Sequence, residues 1–552
     1  MTSTLPADTP GEPAAPLEGS SSGKRSFLRS TGVVSGMTLI SRVTGLLRDM
    51  ATSHVLGDSF VNDALTLAWT VPNLFRRMFG EGALGSAFLS VFSRVLTTEG
   101  RKRAAQVSNA VISAVAASLV GLVVVLIAAT YLIPESFSVW VLGPEHASKV
   151  ELTLHYTRML LPYMAAICII AQFMAVLNSV GEFAVPAFSP IILNVVWLMG
   201  IGAAAWWGTS SGGSLADQGS IIAVSILVAA VAQILWHLPA MRSRGLAFRP
   251  HWPRRTPEVS QVALMMGPML LGMGSAQLNI LADRTIAMRS LGDGGVSHLY
   301  YGLRLMQFPL GLVSVALVTT VFPALTKLMA GGDRRGATDT TSFALRTNLL
   351  ISVPAAIGLM VLAHPIIELL FQSGRFGASS TEATSRALIG YALGVPFVGS
   401  VMLLTRASYA IGDVRFPMRI GLITTGINVA LDLLLVGPLQ DFGLALATSI
   451  TAVVSTLLLG VGVRRRLGLR PAEKLMTGIP PTIVLALLLA ASVWGVDFAI
   501  AGQLAEGRVD ALIRVLAGLA TGLGVFVLLA RQLFPREWRE LSGFLRRSGR
   551  SE

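Results

Sequence analysis

Charge is scarce in this chain. Only 13% of its 552 residues are Asp, Glu, Lys or Arg, against 53% hydrophobic residues. The mean hydropathy is +0.66. A soluble chain of this length would divide into several domains with charged surfaces, so that class is excluded. Cysteine is scarcer still. The single Cys168 lies in an apolar run; it rules out a disulfide framework and a Cys-based metal site, and reads as a small buried hydrophobe. The seven histidines are scattered, with no HExxH or similar ligand spacing. His54, His298 and His364 fall near expected helix ends, which reads as interfacial placement. No GxxxxGK[ST] phosphate loop occurs, so Gly80, Gly82 and Gly85 read as sites of close helix approach or of a break after Arg77. Acids are fewer than bases, 30 against 43, for a net charge of +13. Nucleic acid is one reading of that surplus; the placement of the charges decides against it.

What the chain has in abundance is apolar runs of roughly 20 residues, each long enough to cross a bilayer. They predict an all-α polytopic membrane protein of about 14 transmembrane helices. The expected spans run near 28–56, 60–95, 104–133, 152–180, 185–208, 219–240, 258–291, 296–329, 340–371, 381–411, 416–437, 442–463, 475–500 and 510–533. Pro72, Pro162, Pro268, Pro309, Pro354 and Pro396 mark kinks or breaks within them. Residues 1–23 read as a disordered cytoplasmic tail without the basic start of a cleavable signal peptide. With the N-terminus inside, about 28 basic residues fall in inside loops and tails and about 4 in outside loops, which puts both termini in the cytoplasm. The basic loops then lie near anionic headgroups and account for the net charge.

A weak repeat divides the chain. LNSVGEFAVP (177–186) matches SYAIGDVRFP (408–417) at an offset of 231, and Arg76 and Met78 match Arg304 and Met306 at an offset of 228. This predicts two six-helix lobes, 24–245 and 255–466, followed by two further helices in 471–535 and a basic tail, 536–552. Six is even, so both lobes enter from one side. The pseudo-twofold would run along the membrane normal, with a site between the lobes.

Two constellations of polar residues break the apolar pattern. Ionisable groups within a span cost at least a few kcal/mol each, and persist where they face protein, water or a charged ligand. Arg42, Arg48, Asp49, Asp63, Arg76, Arg77 and Glu81 lie in the first two spans and Arg304 in the eighth. Interhelical ion pairing is one reading. The excess of arginine over acid favours the other, an anionic ligand, since guanidinium stays protonated and presents a fork suited to phosphate or carboxylate. Arg76 and Arg77 are adjacent on a helix, so only one is expected to point at a cavity centre. The second constellation is Asp283, Asn428, Asp432 and Thr448. Asn428 and Asp432 are an i,i+4 pair, and the four supply hard oxygen ligands for a small cation. The alternative is polar glue between helices, with Asp283 satisfied by Arg284.

The segments SRVTGLLRD (41–49), VNDA (61–64), PNLFRRMFGEGALGSAF (72–88), YYGLRLMQFPLG (300–311) and GINVALDLLLVGPL (426–439) resemble the MurJ (MviN) family of lipid II flippases. That family belongs to the multidrug/oligosaccharidyl-lipid/polysaccharide exporter superfamily. The resemblance covers about residues 25–540. It implies transport, not catalysis: movement of the undecaprenyl-pyrophosphate-linked peptidoglycan precursor across the bacterial inner membrane by alternating access, for cell-wall synthesis. It implies cavity arginines at Arg42, Arg48, Arg76 and Arg304, cavity acids at Asp49, Asp63 and Glu81, and a lipid-tail groove along the last two spans. It also implies a sodium site at Asp283, Asn428, Asp432 and Thr448 with a backbone carbonyl near Leu444. The partners implied are lipid II, membrane lipids and the cell-wall synthesis machinery; no nucleic acid is expected. Leu303 and Gln307 stand where the family often has Asp and Glu, so Arg304 lacks its usual local counter-ions. The alternatives are a flippase for another polyprenyl-linked saccharide, or a cation-coupled drug antiporter, whose cavity would carry acids. A membrane glycosyltransferase or a scaffold fits less well: the outside loops are short, and a scaffold has no use for the arginines.

Overall fold

The computed structural model describes residues 21–80, 83–132, 147–253, 255–467, 478–503, 507–535 and 537–539. Every extended element among them is helical, as the apolar runs require: in hydrocarbon a helix satisfies each backbone group within its own segment. The first half comprises α1 (Ser21–Leu56), α2 (Phe60–Phe75), α3 (Ala83–Thr98), α4 (Gly100–Leu132), α5 (Ala147–Ser179), α6 (Ala184–Ser210) and α7 (Leu215–Ser243). The second comprises α8 (Pro257–Ser290), α9 (Gly295–Pro309), α10 (Val315–Ala330), α11 (Arg334–Val361), α12 (Ala363–Phe371), α13 (Ala378–Ala392), α14 (Val395–Tyr409) and α15 (Arg415–Leu467). Two more, α16 (Ile479–Ile500) and α17 (Arg508–Leu533), pack on each other and against α11 and α12.

The expected spans 60–95 and 296–329 are each broken. A π-helical turn, Arg76–Gly80, separates α2 from α3, and another, Leu310–Ser314, separates α9 from α10. Proline prepares both breaks. Pro72 lies inside α2 and Pro309 closes α9, and each removes a backbone donor from the helical ladder. The pair α13 and α14 is bent by 42°. The long α15 doubles at Gln440, which takes φ 50° and ψ −131° and divides it into arms 415–439 and 441–467.

The repeat detected in the sequence folds into the same turn twice. Gly181 (φ 79°) and Gly412 (φ 85°) both occupy the left-handed region that glycine reaches without a Cβ penalty. The next amide donates back five residues in each case, Glu182 to the Leu177 carbonyl and Asp413 to the Ser408 carbonyl. Packing repeats as well: α1 lies on α6 as α8 lies on α15, and α2 lies on α5 as α9 lies on α13. Cys168 is fully buried in the first half, as its apolar surroundings predict.

Among the described residues, eight helices are long and apolar enough to cross a membrane, or nine with the bent α13–α14 pair counted as one. The figure falls below 14 partly because α2, α3, α9 and α10 are 15 or 16 residues each, cut short by the π turns. Outward faces carry exposed apolar side chains such as Leu487, Phe498 and Leu523, the surface a hydrocarbon solvent requires.

Candidate functional site

A cavity of about 1030 Å³ opens within the bundle, on the side away from the α1–α2 turn. Of the expected site residues, Arg42, Arg48, Arg76, Arg77 and Arg304 line it. Arg284 joins them, making six arginines, and among the described residues no carboxylate lines the wall. Arg284 is the cation that spacing arguments missed. The alternative reading of the sequence pairs it with its neighbour Asp283; its guanidinium turns to α2 instead. There it donates to the Thr66 carbonyl at 3.3 Å and to the Thr70 hydroxyl, and lies 5.3 Å from the Tyr300 ring centroid.

Both arginines of the Arg76–Arg77 pair reach the cavity, where the geometry of a regular helix predicted one. The π turn that begins at Arg76 changes the angular step between successive side chains, which removes the basis of that expectation. Arg76 Nε donates to Asn73 Oδ1 at 3.0 Å.

Asp49 stands behind the arginines and outside the lining. It is 3% exposed and holds two of them. Arg48 donates to Asp49 Oδ1 from Nη2 at 2.6 Å and from Nε at 3.1 Å. Arg304 Nε lies 3.1 Å from Asp49 Oδ2. The Tyr300 hydroxyl donates to Asp49 Oδ1 at 3.3 Å. The counter-ion that Arg304 lacks on its own helix is therefore supplied by α1. Arg48 also donates to Asn194 Oδ1 at 3.1 Å and lies over the Trp197 ring, 4.3 Å from its centroid. Two glycines make room for guanidinium groups: a Cβ on Gly45 would stand 2.9 Å from Arg304 Nη2, and one on Gly311 would stand 3.0 Å from Arg42 Nη2.

Asp63 does not line the cavity. It is 1% exposed at the opposite, closed end. It accepts from the Gly294 and Ser297 amides, both at 2.8 Å, and from the Ser297 hydroxyl at 2.7 Å. A first-half carboxylate thus caps the N-terminus of second-half α9, where the helix dipole favours negative charge. Around it, the Ser380 hydroxyl donates to Asp58 at 2.5 Å, the Arg375 amide donates to the His54 carbonyl at 3.1 Å, and His298 Nδ1 lies 3.2 Å from Asp441 Oδ1. Glu81 lies outside the described residues.

Three members of the second constellation, Asp283, Asn428 and Asp432, also come together. The Asn428 amide donates to Asp283 Oδ1 at 3.0 Å and to Asp432 Oδ2 at 2.8 Å. Asn279, which the sequence reading did not single out, donates to Asp283 Oδ2 at 3.3 Å. The acceptor oxygens Asn428 Oδ1, Asp432 Oδ1 and Asn279 Oδ1 are buried without partners. Leu444 and Thr448 stand on the second arm of α15, where the Thr448 hydroxyl donates to the Leu444 carbonyl at 3.3 Å. Two carboxylates with orphaned amide oxygens fit a hard cation. Among the described residues no three His, Cys, Asp or Glu side chains gather as a transition-metal site would require.

Comparison with known proteins accords with this arrangement. The pattern of the family described as "Lipid II flippase MurJ" matches residues 52–510. The chain belongs to the MurJ family. Relatives include the probable lipid II flippase MurJ of Vibrio cholerae, 33% identical over 445 residues, which span 79% of this chain and 83% of that one. Another is the lipid II flippase MurJ of Burkholderia cenocepacia, 30% identical over 84% of this chain and 89% of its own. Among solved structures, a lipid II flippase MurJ in an inward closed conformation superposes with a TM-score of 0.70 at 24% identity, covering 91% of this chain and 99% of that one. An inward-facing multidrug resistance MATE transporter of the MOP superfamily superposes at 0.61 with 14% identity, covering 78% and 97%. The fold is thus shared with that transporter, whereas the MurJ match is in sequence as well. In this MurJ-family chain the cavity is lopsided: among the described residues, 24 of the 31 that line it precede Ser243, and the rest come from α8 and α9.

Proposed function

We propose that this chain flips lipid II, the undecaprenyl-pyrophosphate-linked peptidoglycan precursor, from the inner to the outer leaflet of the bacterial plasma membrane. The observation that carries the reading is a cavity lined by six arginines and, among the described residues, no carboxylate. A drug antiporter has no use for such a wall. A pyrophosphate does: each guanidinium fork can bind two of its oxygens, and water exclusion strengthens the attraction. Arg42, Arg48, Arg76, Arg77, Arg284 and Arg304 would hold the anion, with Asp49 fixing Arg48 and Arg304 in place.

With both termini in the cytoplasm, as the basic loops favour, the cavity faces the cytoplasm and the Asp63 end is the closed outer gate. Binding would neutralise the mutual repulsion of the arginines, letting the lobes 24–245 and 255–466 close on the ligand and then part at the outer end. The hairpin of α16 and α17, within 471–535, would guide the lipid tail. Resetting would draw on the membrane potential, worth about 2.3 kcal/mol per charge per 100 mV, or on sodium at Asp283, Asn428 and Asp432, with Leu444 and Thr448 completing its shell. The cell-wall synthesis machinery would receive the product.

The test is a leaflet-accessibility assay for lipid II in cells depleted of the native protein. Arg42→Ala and Arg304→Ala should insert normally and leave lipid II inaccessible from outside. Normal translocation by either variant would overturn the arginine cavity as the carrier of the substrate.

A further inference from the structure

The cavity wall is not uniformly cationic. Its arginines come from α1, the π turn, α8 and α9. The wall contributed by α5, α6 and α7 holds none, and all twelve of its lining residues are uncharged. It mixes apolar side chains, among them Ile170 and Met174, with amides and hydroxyls. Two of its polar groups are unusual. Tyr163, fully buried, has a hydroxyl with no hydrogen-bond partner in the protein. Its ring packs against Trp69, which also lines the cavity, with centroids 5.1 Å apart. Gln233 is 2% exposed, and its Oε1 is likewise unpartnered. Its Nε2 is committed to the Ser189 carbonyl and hydroxyl at 2.9 and 3.0 Å, which fixes the direction of the free oxygen.

Buried polar groups normally find partners, because leaving one unmade costs its full desolvation. Two orphans on one neutral cavity wall are what a site awaiting a neutral hydrogen-bonding ligand presents. An anion is the wrong ligand here: Gln233 Oε1 can only accept, and no cation stands on this wall. A sugar ring fits. Its hydroxyl or acetamido N–H would donate to Gln233 Oε1, the Tyr163 hydroxyl would donate to a ring or carbonyl oxygen, and its apolar face would lie on the aromatic and aliphatic side chains. Asn194 joins the two regions, since it lines the same cavity and accepts from Arg48 at 3.1 Å.

We propose that the α5–α7 wall is a saccharide subsite, which reads the neutral sugars of the substrate's head while the arginines hold its anion. The proposal rests on the lipid-linked substrate put forward above. It assigns Tyr163 and Gln233 a role in choosing the head, separate from the arginines' role in binding the charge.

The experiment measures binding of two lipids to the full-length protein in nanodiscs: undecaprenyl pyrophosphate bearing the saccharide without the peptide, and undecaprenyl pyrophosphate capped as its methyl ester, so that both carry the same charge. The wild type should bind the saccharide-bearing lipid about tenfold more tightly, as a pair of well-made neutral hydrogen bonds allows. Tyr163→Phe and Gln233→Leu should each erase most of that difference and leave affinity for the bare lipid unchanged. Tyr163→Phe should also keep the wild-type melting temperature, since the hydroxyl it removes has no partner in the protein. Equal wild-type affinity for the two lipids would overturn the subsite. So would variants that weaken both lipids alike. If the wild type binds neither lipid, the flippase reading itself falls, and the subsite with it.

Discussion

Asp49 shows how much one side chain can decide in a low-dielectric site. It holds Arg48 on its own helix and Arg304 on α9, at 2.6 and 3.1 Å. Removing one partner of a buried ion pair leaves the others uncompensated, at a cost of roughly 3 kcal/mol or more. Asp49→Asn keeps the shape and removes the charge. It should lower the melting temperature of the purified protein and abolish lipid II translocation, because Arg48 and Arg304 would repel each other and leave their positions. A melting curve that coincides with the wild type would show that the carboxylate carries no such load. The adjacency of Arg48 and Asp49 was visible in the sequence. The pairing with Arg304 was not, because it depends on α1 and α9 meeting across the two halves. Arg284 escaped for a related reason: Asp283, beside it in the sequence, offered a local partner, whereas the fold turns its guanidinium toward Thr66 and Thr70.

Helices fail or hold at their ends, and in this chain the ends also lock the two halves. Asp63 accepts three hydrogen bonds at the start of α9. Asp63→Asn should weaken that cap, since a neutral amide gains little from the helix dipole. The closed end should then open more often. Spin labels at the exposed positions Thr209 and Glu382, at the ends of α6 and α13 on the Asp63 side, should show a broader and longer distance distribution by double electron–electron resonance. An unchanged distribution would remove Asp63 from the gate. At this scale the sequence was informative about order and spacing. The turns around Gly181 and Gly412 match in sequence, and they form the same hydrogen bonds. The π turns were not legible. Pro72 and Pro309 announce a disturbance, but whether the helix kinks, stops or widens depends on what packs around it. That is why the expectation of one cavity-facing arginine at 76–77 gave way to two.

For the whole molecule, a cation at the Asp283–Asn428–Asp432 cluster would tie the folded state to the ionic medium. Sodium should raise the melting temperature of the wild type relative to an equal concentration of choline, and Asp432→Asn should erase the rise. The expected gain is about 2.7 kcal/mol when sodium exceeds its dissociation constant a hundredfold. Equal shifts in both proteins would remove sodium from the site. The repeat implied a site between two matched halves, and no single-sequence pattern could show the lopsided cavity that formed, because inequality between similar halves arises only in packing. That lopsidedness carries a further consequence. If the saccharide subsite holds, the first half would be the larger part of the cargo's berth. On the proposed reading, the sugars would stay moored to α5–α7 while α8 and α9, which bring Arg284 and Arg304 to the anion, move during the crossing. Recognition of the sugars would then lie on α5–α7 and the grip on the anion on α1, the π turn, α8 and α9, so either could drift while the other stays as it is.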